Sequence, residues 1–228
     1  MGLFWQGIPH SFFPAIRNAL GTSFTAIESG TYKGHTSRKF AHFADQVITI
    51  EADFDYFLKS KKKLKRYTNT TVLHGDSGEL IGNVLPPRSV GCVMWLDAHY
   101  SGGNTAGEHE HCPLMNELRQ ILFSRNALNS IVLIDDSRGL TGTYGWPILS
   151  ELVGLFNKNK FSSIIIDDVL IASSPNNLKF FAESLTPSRT NTFERLGGRL
   201  SWVMPLVSIF GFIASLSFKV KNQKFFNR

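Results

Sequence analysis

Short apolar runs alternate with longer amphipathic stretches between residues 24 and 172. Phe24–Ile27 runs into Glu28, Val47–Ile50 into Glu51, and Thr71–Leu73 into His74-Gly75-Asp76. Val90–Leu96 runs into Asp97, and Ile131–Ile134 into Asp135-Asp136. The runs are rich in Val and Ile, and several are continuous rather than alternating. That is the pattern of strands buried on both faces of a parallel sheet. The stretches between them, 35–44, 54–66, 77–84, 113–125 and 147–157, predict helices. Together they predict an α/β fold with a doubly wound, mostly parallel sheet. Ser163–Ile166 and Val169–Ala172 are separated only by Asp167-Asp168, which predicts a hairpin and one antiparallel edge.

Five predicted strands finish at a carboxylate. In open α/β sheets, ligands bind outside the carboxyl ends of the strands. A single acid there is ordinarily a helix N-cap. Five acids at one edge repel unless a cation or hydrogen-bond donors sit among them. The edge therefore reads as a pocket for ribose hydroxyls, a metal or a cationic ligand. The first strand turns through Glu28-Ser29-Gly30-Thr31-Tyr32-Lys33-Gly34. Gly30 permits a tight turn and close approach of a ligand, and Gly34 opens the next helix. The G-x-G-x-x-G dinucleotide fingerprint is absent, which weighs against a nucleotide-dependent oxidoreductase. Glu51 closes the second strand about twenty residues on, where an acid grips ribose hydroxyls. Asp76-Ser77 closes the third and is placed to hydrogen-bond an adenine ring.

This ordered set, Glu28-x-Gly30-x-x-x-Gly34, Glu51, Gly75-Asp76-Ser77 and Trp95-Leu96-Asp97, resembles the class I S-adenosylmethionine-dependent methyltransferases, which have a Rossmann-like fold. The stretch from Trp95 to Gly103 and Leu133-Ile134-Asp135-Asp136 are similar to the metal-dependent sugar O-methyltransferases of the macrocin and mycinamicin type. The resemblance covers residues 24–172. It implies S-adenosylmethionine held by Glu28, Gly30, Tyr32, Gly34, Glu51, Asp76 and Ser77, and a sugar or glycan hydroxyl as acceptor. Tyr32 departs from the pattern, standing where many members of the wider superfamily have a second glycine.

A sugar hydroxyl is a poor nucleophile at neutral pH, and a divalent cation on a vicinal diol lowers its pKa. Hard oxygen ligands suit such an ion, and Mg2+ prefers carboxylate and water. In the resembled family the acids matching Asp97, Asp135 and Asp136 hold it. His99 or Asp97 itself is the expected base. Plainer readings stay open: Asp135 as a cap, and His99 as a hydrogen-bonded loop residue. The loop SGGNTAGEHEHC, with His109, His111 and Cys112, matches no standard zinc spacing and reads as a substrate lid. Tyr144 and Trp146 are candidates for stacking on a sugar or for packing beneath their loop.

At 228 residues and 43% hydrophobic content, the chain is long and apolar enough for one buried core. Its two cysteines exclude a disulfide framework. The net charge of +6 lies entirely in residues 187–228, where seven Lys and Arg face one Glu. Residues 1–186 balance to zero, which predicts no nucleic-acid partner. Lys59–Arg66 is the exception, read as a solvated helix face or a contact for anionic lipid.

From Leu200 to Phe218 the chain carries no charge, with Arg195 and Arg199 before it and Lys219 and Lys221 after. This predicts a hydrophobic tail helix touching a membrane, spanning or interfacial, with a buried C-terminal helix as the alternative. Localisation is then membrane-associated through the tail, with a cytoplasmic catalytic domain. The aromatic start lacks a signal-peptide pattern and reads as an apolar flap. The expected organisation is a flap over 1–23, a methyltransferase-like domain over 24–186 and a basic linker with its hydrophobic tail over 187–228. The expected activity is an S-adenosylmethionine-dependent O-methyltransferase. Its rivals are the oxidoreductase and a membrane-tethered binding protein without turnover.

Overall fold

The computed structural model describes residues 7–97, 112–124, 129–143 and 145–185. His99, the lid 101–111, Tyr144 and the tail over 187–228 lie outside the described residues. Among the described residues no helix is long and apolar enough to cross a membrane.

The elements are α1 (Phe12–Leu20), β1 (Phe24–Ser29), α2 (His35–Phe40), β2 (Gln46–Glu51), α3 (Phe54–Leu64), β3 (Thr70–His74) and α4 (Ser77–Leu80). They continue with β4 (Gly91–Leu96), α5 (Leu114–Phe123), β5 (Ser130–Ile134), α6 (Leu149–Lys158), β6 (Ser162–Ile166) and β7 (Val169–Ser173). A last helix, α7, covers residues 175–185. Short 3-10 turns follow α4 and β5. The seven strands lie in the order β3-β2-β1-β4-β5-β7-β6. β1 to β5 pair in parallel, and β7 runs antiparallel to both β5 and β6. This is the expected doubly wound, Rossmann-like sheet with an antiparallel edge hairpin.

The continuous apolar runs follow from burial on both faces. β1, β4, β5 and β7 are buried at every position, whereas the edge strands β3 and β6 are not. Alternate residues serve two cores, as the two-residue period of a strand requires. In β4, Val93 and Trp95 join α1, Phe40 and Phe181 on one face. Cys92, Met94 and Leu96 join α5 and α6 on the other.

The segment read as a flap contains α1, which buries Phe12, Phe13, Ala15 and Ile16. Ahead of it, Gly7 presses on α2. A Cβ there would lie 1.8 Å from Thr36 Oγ1. The Ile8 N–H donates to that same hydroxyl at 3.2 Å.

Asp167 and Asp168 form the hairpin turn, both left-handed with φ of 50° and 67°. That is the backbone a two-residue turn needs to match strand twist, and Asp tolerates it. Asp168 also reaches back to the loop after β5. Its Oδ1 accepts from Ser137 Oγ (3.2 Å) and from the Arg138 N–H (3.0 Å), and its Oδ2 pairs with the Arg138 guanidinium. Asp168→Ala is expected to cost about 1–3 kcal/mol, the range for buried hydrogen bonds to a charged group. Urea unfolding of the two proteins measures it.

Candidate functional site

The chain winds from β1 outward through β2 to β3, then returns to the other side of β1 for β4 and β5. That reversal leaves a crevice at the carboxyl ends of β1 and β4, where open sheets of this kind bind ligands. Register fixes what borders it. Glu51 pairs with His74, Ser29 with Ile50 and with Leu96, and Leu96 with Ile134. The ladder runs one residue further. The Gly30 N–H donates to Ile50 O (3.0 Å), the Asp97 N–H to Ser29 O (3.1 Å) and the Asp135 N–H to Leu96 O (3.2 Å). His74, Glu51, Gly30, Asp97 and Asp135 thus form one row across the sheet. Residues in such a row share a face.

Gly30 is the only member of the row without a side chain. With strands about 4.8 Å apart, Glu51 and Asp97 stand about 10 Å apart on either side of it. Gly30 takes φ 82°, so a side chain there would be strained as well as obstructive. The gap opens at the switch point itself.

Glu51 is buried at the base of this gap. Its Oε2 accepts from the Tyr32 N–H (2.6 Å) and its Oε1 from the Asp53 N–H (3.0 Å). Burial raises its pKa, and these two N–H groups pull it back. Each oxygen keeps a further lone pair, so the carboxylate still accepts from a pair of hydroxyls.

Tyr32 answers for the missing glycine. It adopts the left-handed backbone, φ 45°, that glycine would supply. Its ring lies against Tyr56, with centroids 4.7 Å apart. Gly34 is also left-handed and caps α2, and a Cβ there would press on Leu64 at 3.2 Å.

Glu28 stands apart from the other acids named with it. It lies one step below Gly30 on the same face, 2% exposed. Its Oε2 accepts from the Ser37 hydroxyl and from Thr49 Oγ1 (2.7 Å), and Thr31 and Thr49 share a hydrogen bond of 2.6 Å. Burial first, then the nearby charges of Asp97 and Glu51, push its pKa up to about 8 against the two hydroxyls. It braces the floor of the crevice from beneath. Asp76 caps α4, its Oδ1 accepting from the Gly78 N–H at 2.7 Å, and Ser77 is buried beside it.

The expected metal trio does not assemble. Asp97 and Asp135 share the row, but Asp136 turns left-handed at φ 53° and pairs with Arg138 Nη2 at 2.7 Å. Asp135 Oδ1 accepts from the Asp136 N–H at 2.9 Å. Among the described residues no group of three His, Cys, Asp or Glu side chains is arranged to hold a metal ion. The positive charge beside Asp136 is the Arg138 guanidinium, and nothing among the described residues supports Mg2+ held by Asp97, Asp135 and Asp136. Arg138 was the residue that sequence reasoning passed over, because its partner Asp168 lies thirty positions away. Trp146 packs against the core beneath its loop, over Gly139.

No family model matches the chain. Over 52 residues it is 44% identical to an rRNA adenine N-6-methyltransferase from Escherichia coli, a stretch making up 23% of this chain and 21% of that protein. The rRNA adenine N-6-methyltransferase of Clostridium perfringens matches to the same identity and extent. The chain thus spans about a fifth of the length of the curated relatives it matches. A solved rRNA methylase from Streptococcus thermophilus is 13% identical with a TM-score of 0.49, covering 72% of this chain and 95% of its own. The two curated relatives, both named for rRNA, overturn the expectation of a sugar or glycan acceptor and no nucleic acid. The net charge of residues 1–186 is zero, but a sum does not record where charges sit.

Glu28 sets a pH dependence of stability. Its folded pKa of about 8 lies above the ordinary 4.5, so the folded state holds the proton more tightly than the unfolded chain. Its contribution is complete below about 4.5 and is lost as pH rises toward 8. Melting temperature is expected to fall across that window, and Glu28→Gln to flatten the fall. Thermal melts of both proteins between pH 5 and ~8.5 test the sign.

Proposed function

We propose that this chain is an S-adenosylmethionine-dependent methyltransferase whose acceptor is a nucleobase in RNA. The observation that carries the reading is the row at the switch point, with the side-chain-free Gly30 between Glu51 and Asp97. The donor set fits an adenosyl ligand. Glu51 has lone pairs to spare for two ribose hydroxyls, and the turn after β1 brings its backbone against the gap. Ser29 Oγ, buried at the end of β1 with no hydrogen-bond partner, is a further polar group at this edge. The RNA part of the reading rests on the two curated relatives, whose names give rRNA adenine as their substrate.

The cofactor, when bound, supplies a methyl group on a sulfonium sulfur, a strong electrophile. The chain's own work is placement and proton handling. Glu51 and the Gly30 turn fix the ribose end. Glu28, neutral at the floor, holds Ser37 and Thr49 and adds no third charge beside Glu51 and Asp97. Asp97, across Gly30 from Glu51, accepts a hydrogen bond from the acceptor N–H and takes the proton released. An exocyclic amine needs orientation more than activation, so no metal is required in this account.

Calorimetry is expected to show S-adenosylmethionine binding to the whole chain. Glu51→Ala should weaken it about tenfold or more, which corresponds to ~1.4 kcal/mol. Asp97→Ala should retain that binding and lose methyl transfer to RNA, followed with labelled cofactor. Absence of binding by the unaltered protein would refute the reading. Binding with transfer only to non-RNA acceptors would refute its RNA part.

A further inference from the structure

The zero net charge of residues 1–186 conceals a separation. Residues 33–67 hold nine Lys or Arg against four Asp or Glu, and the remainder of 1–186 carries the opposite excess. Lys59, Lys61, Lys62, Lys63, Lys65 and Arg66 are all exposed on α3 and its end. Among the described residues none of them is ion-paired. The fold brings the turn before α2 to them, where Lys63 Nζ donates to Lys33 O at 2.6 Å. Burial first, then Arg38, Lys33 and Arg66, lower the Lys63 pKa. His35 is lowered by burial and then by Lys63, Arg38, Lys33 and Lys39. Lys33 and Arg38 therefore stand close enough to Lys63, at the end of α3, to extend its positive face.

Aromatic rings are set among these cations. Tyr32 and Phe54 are 45% and 57% exposed. Lys33 lies over Tyr32 at 4.9 Å, Lys59 over Tyr56 at 5.2 Å and Lys61 over Phe57 at 4.9 Å. Phe54 and Phe57 both contact His74, the row neighbour of Glu51. Tyr32 contacts Tyr56 and gives its N–H to Glu51. The aromatic set thus begins at the rim of the crevice and continues onto the lysine face.

From this juxtaposition we infer that the α2–α3 face is the docking surface for single-stranded RNA, leading the strand to the Gly30 crevice. Rings with cations over them are what a flexible strand uses: bases stack on the rings while the displaced ammonium groups move to the phosphates. A lipid surface fits less well, because the rings are interleaved with cations and braced on one another rather than forming a separate apolar stripe. The inference rests on the proposed function for its class of ligand, and the surface itself is argued independently of methyl transfer.

Fluorescence anisotropy of the full chain with a labelled, mixed-sequence single-stranded RNA tests it, run at several salt concentrations. Two surface variants are compared, K59Q/K61Q/K62Q/K65Q and F54A/Y56A. The charge variant is expected to lose at least tenfold in affinity and to flatten the salt dependence by about 0.7 in log–log slope for each phosphate contact removed. The ring variant is expected to lose at least tenfold with the salt slope unchanged. Both should bind S-adenosylmethionine as the parent does. If both bind RNA as the parent does, the surface is not the docking face, and the basic segment 187–228 carries any binding seen. Binding to phosphatidylserine vesicles but not to RNA would overturn the proposal in favour of a membrane. Failure of cofactor binding in the parent, with the RNA result as expected, would remove the enzymatic reading and leave the docking face standing.

Discussion

Parallel strands in register carry each row of side chains to the same face, and β1 lies between two such neighbours that the chain reaches from opposite directions. Its register with β2 and β4 puts Glu51 and Asp97 on either side of Gly30. A shift of one residue in either pairing would turn an acid to the opposite face and bury it among the aliphatic residues of α5 and α6. The crevice, the acids beside it and the turn through Tyr32 all depend on that alignment. The two cores hold it in place, because β1 and β4 are buried on both faces.

Carboxylates gathered at one edge must be neutralised or separated, and this molecule uses three different means. Glu28 is kept protonated by burial up to about pH 8. Glu51 is stabilised by two backbone N–H groups. Asp136 is paired with Arg138, which Asp168 in turn holds from the hairpin. The same economy shapes the turn after β1, where Tyr32 bears a left-handed backbone so that its N–H reaches Glu51 and its ring reaches Tyr56. A residue that departs from the glycine-rich pattern thereby links the crevice to the lysine-bearing face of α3.

Most of the architecture was legible because strands and helices announce themselves locally. Continuous runs of Val and Ile marked the central strands, and Asp167-Asp168 marked the hairpin through its tolerance of left-handed backbone. The stretch over 1–23 was less clear. Its aromatic residues suggested a cover of no defined form, yet Phe12, Phe13, Ala15 and Ile16 share one buried side of α1. α7 also escaped notice, since its buried residues Leu178, Phe181 and Leu185 are sparse in a polar segment.

The linear pattern was enough to mark the strands and the helices between them over 24–172, the acid at each central strand end and the glycine in the first turn. These depend on residue type and near neighbours. The tertiary structure decided which acids share a row, which are spoken for and which cations stand together. Asp135 and Asp136 are adjacent in sequence, but only the fold sends one into the row and the other to Arg138. A charge balance of zero likewise conceals cations that only the fold brings together, Lys33 and Arg38 beside Lys63. Electrostatic effects depend on distance through space, and a linear chain does not record it.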